Sequence, residues 1–143
     1  MWLAALINII IVTLGVLIHY KNLYRATKLV PKAYIKHRFR IVFVVFTVLI
    51  AHMVEIWIFP LAYFLMSKDK ILGEIQSNYD DSFMDSVYFS FTNFTTLGFG
   101  DIELLSSIRL LVGMEALVGF VLITWTASFL FYEMQRHWGN ENG

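Results

Sequence analysis

Near the middle of the chain, Thr95-Thr96-Leu97-Gly98-Phe99-Gly100-Asp101 joins two hydroxyls, two glycines one residue apart and a closing acid. Glycine enters backbone conformations that other residues avoid, so a G-x-G stretch lets successive carbonyl oxygens face one way. A second set of reactive groups sits inside apolar runs: His52, Glu55 and Glu115. His52 and Glu55 are three apart and share a helix face. Enzyme chemistry has little support. The 143 residues include no cysteine, hence no disulfide framework and no thiolate ligand or nucleophile. No nucleophile elbow, metal motif or phosphate loop occurs.

The elements that must position these groups lie in lipid. Hydrophobic residues make up 58% of the chain and charged residues 15%, against about 45–50% and about 25% in soluble domains. A soluble chain this small cannot hide so much apolar surface. Balanced charge, 11 basic against 11 acidic residues, speaks against nucleic acid as a partner. Residues 1–20 carry no Asp, Glu, Lys or Arg and match a hydrocarbon core in length. They lack the basic n-region and small-residue cleavage site of a signal peptide. A second run, 41–66, is interrupted by His52, Glu55 and Pro60, and a third, 108–132, contains Glu115.

Seven of the eleven basic residues (Lys21, Arg25, Lys28, Lys32, Lys36, Arg38, Arg40) fall in 21–40 with no acid among them. Seven acids lie between the second and third runs. The positive-inside rule places 21–40 in the cytoplasm, the N-terminus and 67–107 outside, and the tail inside. Lys28, Lys32, Lys36 and Arg40 recur every fourth residue, but Pro31 and the polarity of the segment argue against a voltage sensor. A basic linker resting on anionic lipid headgroups is the expectation. Of the four histidines, His19 and His37 are expected beside the membrane surface, and no metal-ligand spacing joins the set. The four tryptophans, Trp2, Trp57, Trp125 and Trp138, read as lipid or interface anchors.

Ser82-x-x-Asp85 has the pattern of a helix start, with a hydroxyl for free backbone N–H groups and an acid for the positive helix end. A helix over 83–94 is about 18 Å long, too short to cross a bilayer. Non-helical backbone at membrane depth is tolerated only inside protein or along a watery cavity. A half-helix followed by a glycine-bearing strand, between two spanning runs, reads as a re-entrant pore loop.

At these residues the chain resembles the pore module of the potassium-channel superfamily, whose filter reads T-x-G-[YF]-G-D. Thr96, Leu97, Gly98, Phe99, Gly100 and Asp101 fill those positions, and Thr95 matches the hydroxyl residue before them. The likeness covers outer helix 41–66, pore helix 83–94, filter 95–101 and inner helix 108–132; residues 1–40 lie outside it, as in a small bacterial-type channel with one extra N-terminal helix. The resemblance implies an all-α integral membrane protein with three transmembrane helices, assembled as a homotetramer. Carbonyls of Thr96, Leu97, Gly98 and Phe99, with the Thr96 hydroxyl and Gly100 completing the strand, would cage dehydrated K⁺. K⁺ is then the permeant ion, and no cofactor is expected. Tyr88, seven residues before Thr95, would bond Asp101 and support the filter. Thr92 stands where some bacterial relatives carry a Glu. Gly113 and Gly119 fall where inner helices of the family bend, and Phe120, Ile123 and Ala127 would line the cavity. A non-selective cation channel of the same architecture, or a non-conducting assembly or receptor protein, are the alternatives. His52, Glu55 and Glu115, with Thr92 and Asn93 as further partners for Glu115, are expected to form one intramembrane cluster, either holding helices in register or acting as a proton-sensitive latch.

Overall fold

The computed structural model describes residues 2–29, 37–68, 75–77, 82–104 and 108–138. In chain order the elements are α1 (Trp2–Leu29), α2 (His37–Ile56), α3 (Ile58–Lys68), β1 (Ile75–Ser77), α4 (Phe83–Phe94), β2 (Ile102–Leu104) and α5 (Ile108–Trp138). Three stretches are long and apolar enough to span a bilayer: Ala5–Lys28, Phe39–Phe64 and Arg109–Arg136.

The first helix does not stop at Tyr20. It continues through Lys21–Leu29, so only 30–36 of the expected linker fall between helices, and these, with Lys32 and Lys36, lie outside the described residues. The continuation has two causes. Lys28 in the last turn meets the negative end of the helix dipole. The buried positions Asn8, Ile11, Gly15, His19, Leu23 and Ala26 form one stripe at three- and four-residue spacing, which the last turns extend. That stripe packs on α2 and α5. Leu23 joins Val44 and Val48 against Phe129 and Leu130, while Ile11 joins the main core of Ile56, Phe59, Tyr63, Phe89, Phe94 and Leu122.

The expected outer helix is two helices. It starts at His37 and breaks at Trp57, leaving α3 to carry Pro60. Proline has no N–H and its ring crowds the carbonyl four residues back, here Ile56. That carbonyl accepts from Ser90 Oγ of α4 at 3.0 Å instead. The kink thus becomes an anchor for the short helix between the spans. α5 runs unbroken through Gly113 and Gly119 and on to Trp138, six residues past the expected end at Tyr132.

One feature lies outside the helical expectation. β1 pairs antiparallel with β2, with Ile75 opposite Leu104 and Ser77 opposite Ile102. Alone such a ribbon is marginal; here it ties the segment after α3 to the chain leaving the glycine-bearing loop.

Candidate functional site

α4 begins and ends by local rules. Ser82 is the N-cap in extended backbone, its Oγ accepting from the Asp85 N–H at 3.1 Å, and Asp85 stands in the positive first turn. At the other end Thr95 caps: its N–H bonds Phe91 O at 3.2 Å and its hydroxyl bonds the same carbonyl at 2.7 Å. The next two turns are drawn back onto the helix, Thr96 N–H to Asn93 O at 2.9 Å and Gly98 N–H to Thr92 O at 3.1 Å.

From there the backbone alternates. Thr96, Gly98 and Gly100 have φ of 60°, 47° and 73°, while the residues between them have no positive φ. Reversing the sense of the backbone at every second residue is what turns successive carbonyls to one side of a strand. Glycine adopts such φ freely. Thr96 does not: a β-branched residue there is an outlier of the kind that clusters at functional sites, at a cost of about 1–3 kcal/mol. The two glycines predict an unusual backbone at their own positions; nothing in the residue type predicts it at Thr96. Leu97 and Phe99 are 62% and 65% exposed, so the chain's own packing does not cover this strand.

Behind the loop, Tyr88 of α4 donates its hydroxyl to Asp101 Oδ2 at 2.9 Å, bridging the helix to the far end of the strand. That bond, ahead of a small burial effect and the Asp101 charge, raises the Tyr88 phenol above its ordinary value. The phenol therefore stays a donor throughout the neutral range. Phe89, Thr92 and Asn93 of α4 and Arg109 and Val112 of α5 line a cleft with Gly98–Ile102.

At Gly119 the inner helix meets the pore helix closely. A Cβ on Gly119 would lie 2.1 Å from the Phe94 carbonyl oxygen, whereas one on Gly113 would meet nothing within 4 Å. Gly119 thus has a packing reason to be glycine, and α5 is assigned as one continuous helix through both residues. Phe120, Ile123 and Ala127 are exposed on α5, and Ile123 and Ala127 face an apolar groove shared with Phe91 of α4 and its cap Thr95.

The single expected cluster of His52, Glu55 and Glu115 is instead two. Glu115 accepts from Tyr63 of α3 and lies against Ser90 of α4, fully buried. Thr92 and Asn93 do not reach it; both side chains bond Phe89 O of their own helix. Glu55 pairs with His52 at 3.0 Å and with His19 at 2.9 Å. His19 is therefore not at the membrane surface but fully buried, and with His52 and Glu55 forms a group whose ligand atoms lie within 4.8 Å of one another. Sequence spacing cannot join residues on different helices, which is why this grouping is invisible to it. Thr126 of α5 closes the group, 3.0 Å from His52 Nε2 and 3.4 Å from His19 Nε2.

No curated protein and no solved structure matches the chain. A family profile described as "Ion channel" matches residues 39–136, from the first turn of α2 into the last turn of α5, a stretch that contains the half-helix, the alternating loop and both flanking spans. Three apolar helices make this a multi-pass membrane protein, and with that match over well more than half its length, the chain belongs to the ion channel family of two-helix, pore-loop type.

Proposed function

We propose that the chain conducts K⁺ passively through the axis of a homotetramer. The observation that carries the reading is the strand Thr96–Gly100, with positive φ at every second residue, mounted on a half-helix capped at both ends. A dehydrated cation needs oxygens on all sides, and one chain supplies one strand of such a cage. Four strands around an axis bring the carbonyls of Thr96, Leu97, Gly98 and Phe99 together, with the Thr96 hydroxyl at the inner end. The exposure of Leu97, Phe99, Phe120 and Ile123 in a single chain fits faces that neighbouring copies cover.

The pore helix adds an electrostatic term. Its C-terminal end, at Phe94–Thr95, carries partial negative charge that stabilises a cation beneath the filter. Asp101, at the outer end of the strand, raises the local cation concentration. With the basic residues of α1 and 37–40 cytoplasmic, the filter mouth opens outside, the N-terminus is outside and the C-terminus inside. Lys21, Arg25 and Lys28 cluster about Tyr24 at the inner end of α1, where anionic lipid headgroups would meet them.

The test is ion flux into proteoliposomes together with the bi-ionic reversal potential for K⁺ against Na⁺. Flux with a strong K⁺ preference is expected. Gly98→Ala should abolish it, because a Cβ is strained at φ 47°. Flux without preference makes the protein a non-selective cation channel; flux that survives Gly98→Ala with its preference intact refutes the filter.

A further inference from the structure

The contact among His19, His52, Glu55 and Thr126 is a closed four-sided ring. Its sides are His19 Nδ1 to Glu55 Oε1 (2.9 Å), Glu55 Oε2 to His52 Nδ1 (3.0 Å), His52 Nε2 to Thr126 Oγ1 (3.0 Å) and Thr126 Oγ1 to His19 Nε2 (3.4 Å). Each side requires one hydrogen between its heavy atoms. An ionised carboxylate brings none, two neutral imidazoles bring one each, and the hydroxyl brings one. Three hydrogens then serve four sides. One added proton closes the ring, wherever on the ring it resides, and it also cancels the carboxylate charge. His19 and Glu55 are fully buried, where an unmade hydrogen bond and an uncancelled charge are both costly.

We propose that these four residues form a binding site for a single proton, and that the bound proton clasps α1 to α2 and α5. Among the described residues, no further charged side chain is paired with the ring, and the ion pairs of Glu55 are with the two histidines alone. α5 presents Trp125, whose ring centre is 5.3 Å from that of His19, and α4 presents Phe94, 5.9 Å from His52. The acids of α5 lie elsewhere: Glu115 is about 16 Å and Glu133 about 10 Å from Thr126 along the helix. On α1, Lys21 is exposed.

Two imidazoles and a carboxylate are also a donor set for a borderline transition metal. A divalent ion would leave the ring at a net charge of +1 and displace hydrogens from both Nδ1 sides. A proton leaves it neutral with all four bonds made. The direction follows from linkage: the clasped state holds one proton more, so lowering the pH favours it and raising the pH releases it.

Trp125 reports the ring because it lies beside His19, whose hydrogen bonding and charge change when the ring closes. The full chain with Trp2→Phe, Trp57→Phe and Trp138→Phe, reconstituted in lipid nanodiscs, is titrated across about pH 5 to 8, where imidazole ordinarily gains its charge. The thermal midpoint should rise along a one-proton curve as pH drops, and emission should change along the same curve. Glu55→Gln supplies the fourth hydrogen from its amide without any charge, so its ring closes unaided. That variant should stay folded with emission and thermal midpoint independent of pH. Thr126→Val deletes two sides of the ring and should move the titration down by about one pH unit, a tenfold loss in proton affinity.

A thermal midpoint and an emission that are both flat for the parent, or curves unchanged in Glu55→Gln, overturn the proposal. Should Glu55→Gln fail to fold, an unchanged midpoint in Thr126→Val overturns it equally. Saturable binding of one Zn²⁺ per chain, lost in His19→Gln, would overturn it in favour of a metal. None of these readouts uses ion flux, so their failure leaves the conduction reading standing, and failure of that reading leaves the ring standing.

Discussion

Gly113 and Gly119 occupy the same helix six residues apart, and adding one methyl group to each should have opposite effects. At Gly119 the new Cβ would lie 2.1 Å from the carbonyl oxygen of Phe94 and 2.8 Å from its carbon. Ordinary contact begins near 3.4 Å, so the backbones of α4 and α5 must part by more than an ångström. Neither side of the clash is a flexible side chain. Overpacking of this kind costs about 1–3 kcal/mol, while alanine returns up to about 1 kcal/mol through helix propensity. At Gly113 nothing lies within 4 Å, and only the propensity gain remains. Gly119→Ala and Gly113→Ala should therefore differ by about 1–3 kcal/mol in unfolding free energy, with Gly113→Ala at or above the parent. Denaturant unfolding in matched detergent micelles reads the difference. Because Phe94 is the last residue of the helix that carries Thr95 and Thr96, Gly119→Ala should also reduce ion flux. Equal stability in the two variants would refute the close approach of the helices.

Tyr88→Phe removes the side-chain bond from Tyr88 to Asp101 and should weaken K⁺ preference more than stability, since the bond is exposed; reversal potentials measure the first and thermal unfolding the second. Raising the pH should break the same bond only beyond the ordinary phenol range, because the Tyr88 value is shifted upward. Glu115→Gln brings an amide N–H for Ser90 and an oxygen for Tyr63, and should cost under about 1 kcal/mol, whereas Glu115→Leu strands the buried Tyr63 hydroxyl and should cost about 1–3 kcal/mol. K⁺ should raise the thermal midpoint of the assembled protein above that in matched Na⁺, since binding to the folded state alone stabilises it by mass action; equal midpoints would count against selective binding.

The parts of the fold legible in the sequence are those governed by local rules. Ser82 and Asp85 mark the start of α4 because capping acts within one turn, and Thr95 with the glycines beyond marks its end. Apolar length marks the three spans for the same reason. What escapes is set by contacts distant in sequence. Pro60 signals a disturbed helix, but that the break falls at Trp57 depends on Ser90, thirty-four residues away, being in place to take the Ile56 carbonyl. The ribbon joining 75–77 to 102–104 consists of three-residue strands, too short for alternation to announce them.

The misplacement of His19 has a single cause that reaches further than one residue. Ending the first helix at Tyr20, where the uncharged run ends, puts His19 one residue from water and leaves it without a role. The signal against that ending is present in the chain. Leu23 and Ala26 continue the stripe of Asn8, Ile11, Gly15 and His19 at helical spacing, and the lysines and arginine between them face away from it. Read as a stripe, the helix runs to Leu29 and His19 falls two turns or more inside it, where a titratable side chain must find a partner. The only acids inside the other two spans, as far as Tyr132, are Glu55 and Glu115. Topology then chooses between them. Glu115 is already met by Tyr63 and Ser90, and Glu55, beside His52 on α2, is the one that α1 can reach. A charge-free run measures how much of a helix lipid will accept; a buried stripe measures how much of it protein holds. In α1 the stripe runs six residues past the charge-free run, to Ala26, and the polar ring lies under the overlap of the two.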